Sequence, residues 1–215
     1  MTPRPLGRLV EHDPRSFAFP HEAPPTPLRT VSHRRYGILD QGHLASCTGN
    51  AVAGCLNTLP LHAARQKFFT EDDALRIYGL ATQLDVFTGT YPPDDTGSSG
   101  LAAAKAAKQL GLITEYRHAF GIDDALQALM AGPVITGVNW YQGFDHLSST
   151  GRVEATGKVR GGHEFEVVGY HSPSDTVGCV NSWGVDWGNK GRFRMSVATW
   201  ARLLSEQGDV TVLVR

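Results

Sequence analysis

Apolar positions in the first half of the chain recur at helical spacing. From Ser46 the stretch SCTGNAVAGCLNTLP is small and apolar around most of its circumference, which predicts a tightly buried helix with Ser46 as N-cap and Pro60 as its stop. Thr70, followed by the acidic turn Glu71-Asp72-Asp73, offers a cap for a second helix through ALRIYGLATQL. A third helix runs from about Ser99 through LAAAKAAKQL to Gly111, and a short fourth begins near Asp123 and closes at Gly132-Pro133. The intervening TGTYPPDDTGSSG is a turn-rich loop. Beyond Pro133 the pattern changes. VITGVNW, EFEVVGYH, TVGCVNSW, GRFRMSV and VTVLVR are short β-branched and apolar runs between turn signals, hence strands, with a helix at VATWARLLSE before the last. Helices first and strands second predict an α+β protein of two unlike halves, and the cleft between them is the natural place for a site.

The start of the chain carries seven prolines, at positions 3, 5, 14, 20, 24, 25 and 27, which deny the backbone regular helix and ladder donors. It is expected to be an extended lead-in over residues 1–30 that either wraps the domain or trails from it. The remaining 31–215 form one domain, divided into a helical lobe to about residue 130 and a β-rich lobe after it. No internal repeat is visible.

Composition narrows the function classes. The 41% hydrophobic and 19% charged fractions are ordinary for a globular chain. A net charge of −1 supplies no field to hold nucleic acid or an anionic membrane, and the Arg34-Arg35 pair reads as a solvated loop. No apolar run reaches the length of a membrane span and the N-terminus lacks a secretory apolar stretch, so a cytoplasmic protein is expected. Cys47, Cys55 and Cys179 cannot form a framework of several bridges, which fits a reducing compartment. Neither H-E-x-x-H nor paired Cys-x-x-Cys spacing occurs, so no metal site is expected.

The candidate chemistry begins at Cys47. A thiol in the first turn of a helix lies at the positive end of the helix dipole, which favours the nucleophilic thiolate. Alone among small apolar residues such a thiol is more often an inert core cysteine. Six residues upstream, the Gln41 carboxamide could join the Cys47 backbone N–H in holding a carbonyl oxygen under attack; the competing reading of Asp40-Gln41-Gly42 is a plain turn. His163, after Gly161-Gly162, is predicted to open a strand and present its ring to the cleft. Asn181, at the start of NSWG, could accept from that ring and fix its tautomer, with Trp183 screening the bond from water.

Taken in order, DQG-x-x-x-SC, GGHEFEVVGY and NSWGVDWGNKGRFRM resemble the papain family of cysteine peptidases over roughly residues 36–195, in the manner of a divergent prokaryotic or phage-type member. The resemblance implies a helical N-terminal half packed on an antiparallel β half. It implies catalysis by Cys47, His163, Asn181 and the oxyanion donor Gln41 on a peptide or protein substrate, with no cofactor. It places Gly97-Ser98-Ser99-Gly100 on the loop where the family pairs with extended substrate backbone, so Ser98 and Ser99, with Gly162 and Trp183 beside the catalytic side chains, are the expected substrate contacts. The family's C-G-S-C-W signature appears here as Leu44-Ala45-Ser46-Cys47-Thr48, without the bridging cysteine and the tryptophan wall. The family's long inhibitory prosegment does not fit ahead of the matching region, so the enzyme is expected to be made active or to be restrained by its Pro-rich start or by a partner protein. Two alternative readings stand: an amidase of the same architecture acting on peptidoglycan or side-chain amides, and a structural component of a larger assembly such as a virion.

Overall fold

A computed structural model describes residues 4–22, 24–64 and 66–215. Among the described residues, five α-helices and a seven-stranded antiparallel sheet make up the expected α+β architecture. The helical half supplies α1 (Cys47–Leu56), α2 (Glu71–Leu84) and α3 (Gly100–Gln109), with α4 (Ile122–Ala131) following. The sheet consists of β1 (Val31–Ser32), β2 (Glu115–His118), β3 (Val134–Tyr141), β4 (Val159–His171), β5 (Thr176–Val180), β6 (Arg192–Ser196) and β7 (Asp209–Val214), with α5 (Val197–Ser205) before the last strand. Its order is β2-β7-β3-β4-β5-β6, with β1 on β4. Among the described residues no helix is long and apolar enough to cross a membrane, and no cluster of three or more His, Cys, Asp or Glu could hold a metal ion.

Every residue of α1 is buried. Small side chains allow its neighbours this close: a Cβ added at Gly49 would lie within 3.0 Å of the α2 backbone at Ala74 and Tyr78. At its C-terminal end Gly54 leaves room for the Arg35 guanidinium, which donates to Glu166 of β4 at 3.0 Å, both side chains 2% exposed. The Thr58 hydroxyl donates to the other Glu166 oxygen. A second apolar core, with Trp140, Phe165, Phe193, Met195 and Trp200 at its centre, lies among the strands, α4 and α5.

The helix starts follow their caps. Asp73 accepts from the Thr70 N–H at 2.8 Å, and Ser99 and Ser196 each accept from a backbone N–H in the first turn of α3 and α5 at 3.0 Å. Ser46 does not cap α1; its carbonyl and hydroxyl instead accept from the Asn50 side chain.

Three expectations are corrected. His163 does not open its strand, because β4 begins at Val159 and the glycines before the histidine pair in register with β3, Gly161 with Trp140 and Gly162 with Asn139. Gly161 and Gly162 sit in a strand because chain from the N-terminal segment, Leu6 and Arg8, lies directly on them. β2 is a strand that the sequence pattern does not predict, since EYRH has no apolar alternation; it is recruited as an edge by β7. The Pro-rich start is not wholly irregular: residues Pro14–Ala18 form a 3₁₀ turn, with proline in its tolerated first-turn position. Of the two courses open to that start, wrapping is the one taken over residues 6–9.

Gly49→Ala is expected to destabilise the fold by about 1–3 kcal/mol, because the α1–α2 contact must open to admit a methyl group. Urea unfolding that leaves the midpoint within error of wild type would show that the crossing is looser than its geometry.

Candidate active site

Cys47 is the first residue of α1 and is wholly buried. Its sulfur lies against the backbone N–H groups of Thr48, Glu164 and Gly7, so strand β4 and the N-terminal segment both meet it. One residue back along β4, the wholly buried His163 ring puts Nε2 2.8 Å from Asn181 Oδ1. The same oxygen accepts the Ser182 backbone N–H at 2.8 Å. A backbone N–H can only donate, so it fixes the carboxamide with Oδ1 toward the histidine. Nε2 must then carry the ring proton, and Nδ1 is left with its lone pair. Trp183 lies over the imidazole at 4.7 Å between ring centroids, and Trp140 meets it edge-on at 4.9 Å, so the pair is sheathed in aromatic surface. Nδ1 has no hydrogen-bond partner among the described residues.

Gln41 belongs to the same construction. Its backbone N–H donates to Ser182 O at 2.8 Å, and its Oε1 accepts the Ser182 hydroxyl at 2.7 Å. Nε2 donates to Leu44 O at 2.7 Å, leaving a second amide hydrogen. The DQG turn is therefore clamped to the NSWG segment, with Asp40 also bridging to Trp183.

The cleft is filled by the chain's own N-terminal segment. Ser98 N–H donates to Gly7 O at 2.9 Å and Ser98 O accepts from Leu9 N–H at 2.8 Å, a parallel bridge that brackets Arg8. On the opposite wall Gly162 O accepts from the N–H groups of Gly7 and Arg8, at 3.1 and 3.0 Å. Gly7 must be glycine: a Cβ there would collide with the Ala45 backbone. Ser98 and Gly162 thus hold extended backbone from two sides. Ser99 does not; its hydroxyl caps α3 and donates to Glu11, so it anchors the segment instead of pairing with it. Trp183 covers the histidine and is 1% exposed. Cys55 and Cys179 are buried core residues with thiols pushed up by burial.

A family model, "Papain family cysteine protease", matches residues 31–207. The chain belongs to the papain family. It is 32% identical to "Cathepsin B-like CP3" of Giardia intestinalis over 49% of this chain and 38% of that protein, and 27% identical to "Cathepsin B-like CP2" of the same organism over 89% and 72%. It therefore spans from little more than a third to under three-quarters of the length of these relatives. In fold it superposes on the cysteine protease xylellain from Xylella fastidiosa with a TM-score of 0.77 at 20% identity, covering 100% of this chain and 98% of that one.

Electrostatics set this papain-family site in a neutral state. Burial pushes the Cys47 thiol up to about 12, outweighing the N–H groups aimed at the sulfur, and it holds the His163 imidazole down at about 4 despite its bond to Asn181. Burial thus opposes charge on either group, and a thiolate–imidazolium pair is disfavoured in this closed cleft. Sequence reasoning missed Gly7 and Arg8, which lie in the cleft, Glu164, next to His163 on β4, and Asp209, which accepts from the Arg8 guanidinium at 3.2 Å. The one available signal was in GGHEFEVV, where acids interrupt an otherwise apolar strand.

His163 is expected to be the Nε2–H tautomer with unprotonated Nδ1 in the native chain from neutral pH down to about pH 5, above its lowered pKa. ¹⁵N spectra of histidine-labelled protein read this directly. A ring that protonates near 6.5 would mean that the cleft is open to water.

Proposed function

We propose that this chain hydrolyses peptide bonds by acyl transfer through Cys47. The observation that carries the reading is the His163–Asn181 bond, which leaves a base nitrogen in the cleft that holds the helix-start thiol. With the cleft open, His163 Nδ1 takes the Cys47 proton and the thiolate attacks the substrate carbonyl carbon. The resulting oxyanion is held by the Cys47 N–H and the spare amide hydrogen of Gln41. Collapse of the tetrahedral adduct breaks the C–N bond as His163 returns the proton to the leaving amine. Water, deprotonated by the same nitrogen, then hydrolyses the thioester and frees the thiol, while Asn181 keeps the ring aligned throughout. No metal or organic cofactor enters these steps.

Substrate backbone would pair with Ser98 on one side of the cleft and Gly162 on the other, the groups that now hold residues 7–9. The segment's own backbone groups are already committed, the Gly7 carbonyl to Ser98 and the Gly7 N–H to Gly162. Activity thus requires the segment to leave. Three buried, unpaired cysteines support work in a reducing compartment such as the cytoplasm.

Under reducing conditions Cys47→Ala is expected to abolish turnover of fluorogenic peptides. Gln41→Ala is expected to lower kcat roughly 10²–10³-fold, the usual effect of losing one oxyanion donor. Turnover surviving in Cys47→Ala would overturn the assignment, and so would a thiol that labels in folded protein while no peptide in a broad library is cut.

A further inference from the structure

The Leu44–Ala45 peptide enters the turn that delivers Cys47 to the start of α1, and it is held from both sides. Its carbonyl accepts from Gln41 Nε2 at 2.7 Å and so fixes which way that carboxamide faces. Its N–H, on Ala45, donates to both carboxylate oxygens of Asp95 at 3.1 Å, 50 residues along the chain in the loop between α2 and α3. In a planar trans amide the two groups point in opposite directions, so fastening the N–H to Asp95 sets the direction of the carbonyl.

Asp95 is exposed at the surface, yet its carboxylate is tied to the helical core. The Tyr78 hydroxyl donates to Asp95 Oδ1 at 2.8 Å and accepts the Gly97 N–H at 2.9 Å. A backbone N–H can only donate, and the phenol has one hydrogen to give, so the two bonds define each other. Burial and the bond to Asp95 push the Tyr78 phenol up from its ordinary range, which keeps that hydrogen in place. Tyr78 is wholly buried in α2, its Cβ 2.9 Å from the point where a Cβ on Gly49 of α1 would sit. Asp95 is therefore set on a fixed point of the α1–α2 crossing. The same hydroxyl holds Gly97, next to the Ser98 backbone that pairs with the segment in the cleft.

We propose that Asp95 is a positioning residue for the oxyanion hole, fixing the Leu44–Ala45 peptide so that its carbonyl holds the Gln41 carboxamide with the spare amide hydrogen toward the cleft. The inference rests on the cysteine-peptidase reading for its role in turnover, while the orientation of Gln41 is read without it.

Turnover of fluorogenic peptides would be compared in Asp95→Ala, Asp95→Asn, Gln41→Ala and Gln41→Ala/Asp95→Ala, each made in the full-length Arg8→Ala chain so that the N-terminal segment weighs equally on all. Asp95→Ala is expected to lower kcat about tenfold, part of what outright loss of an oxyanion donor costs. Asp95→Asn keeps Oδ1, which accepts from both Ala45 and Tyr78, and should stay within about twofold of its parent. Once Gln41 is alanine, the Asp95→Ala change should cost less than about twofold, the non-additivity of residues that act as a unit. Iodoacetamide should alkylate Cys47 at the parent rate in every variant, since that reaction forms no oxyanion. The Gln41 side-chain NH₂ pair in ¹⁵N spectra, assigned by its loss in Gln41→Ala, reads the orientation directly. Its shifts should be kept in Asp95→Asn and move toward those of an unstructured glutamine in Asp95→Ala. The full cost of Asp95→Ala appearing on top of Gln41→Ala would overturn the proposal, because Asp95 would then act by another route. So would an unchanged kcat in Asp95→Ala, an asparagine variant as impaired as the alanine one, or Gln41 resonances that stay where they are. A parent chain that cleaves no peptide would undo the hydrolytic reading, and the Gln41 resonances alone would then decide whether Asp95 sets that side chain.

Discussion

The packing of α1 against β4 is the constraint on which the rest depends. Residues Cys47–Leu56 are buried on every side, so the helix has one available position, and that position puts the thiol beside the strand that carries His163. At the far end of the contact the buried Arg35–Glu166 pair, completed by Thr58, holds helix and strand together where apolar packing alone would allow sliding. A buried pair of this kind is weak evidence for net stability, but loss of one partner typically costs about 3–5 kcal/mol, so it penalises a shifted register heavily. The Gln41–Ser182 hydrogen bonds then tie the turn ahead of α1 to the segment that supplies Asn181. Cys47, His163, Asn181 and Gln41 come from three separated stretches of chain, and these contacts are what bring those stretches together.

The same burial has an electrostatic consequence. A helix-start thiol and an imidazole both need solvent or a partner to carry charge; wholly buried as they are here, each is held toward its neutral form. The segment therefore acts on the site twice, by occupying the backbone-binding edges at Ser98 and Gly162 and by removing the medium that the ion pair needs. Gly7 and Arg8 contribute differently, since the glycine permits the close approach at Ala45 and the arginine anchors the segment through Asp209.

Much of this was legible in the sequence, for identifiable reasons. Helix starts with strong side-chain caps, at Thr70, Ser99 and Ser196, could be placed to within a residue or two, because a cap is a local device. The candidate residues Gln41, Cys47, His163 and Asn181 could be named because each sits in a short ordered motif whose neighbours shape the backbone around it. What escaped was set by contacts distant along the chain. β2 is a strand only because β7 needs a neighbour. Gly161 and Gly162 read as a break before a strand, whereas they are strand positions flattened to admit Leu6 and Arg8. Ser99 matched a substrate-contact position by alignment of motif, yet its hydroxyl caps the very helix that its own position predicted. Arg8 meets Glu164 and Asp209 across most of the chain's length, and no local pattern announces such a meeting.

The most direct test of the central claim, that Cys47 is an activated nucleophile held neutral by its own N-terminal segment, is the pH dependence of its alkylation by iodoacetamide in wild type and in Arg8→Ala. Wild type should react slowly up to strongly alkaline pH, as befits a thiol near 12. Arg8→Ala should react rapidly at neutral pH and lose that reactivity when His163 is replaced by alanine. Identical slow, alkaline profiles in the two proteins would contradict the account, because loosening the segment would then have activated nothing.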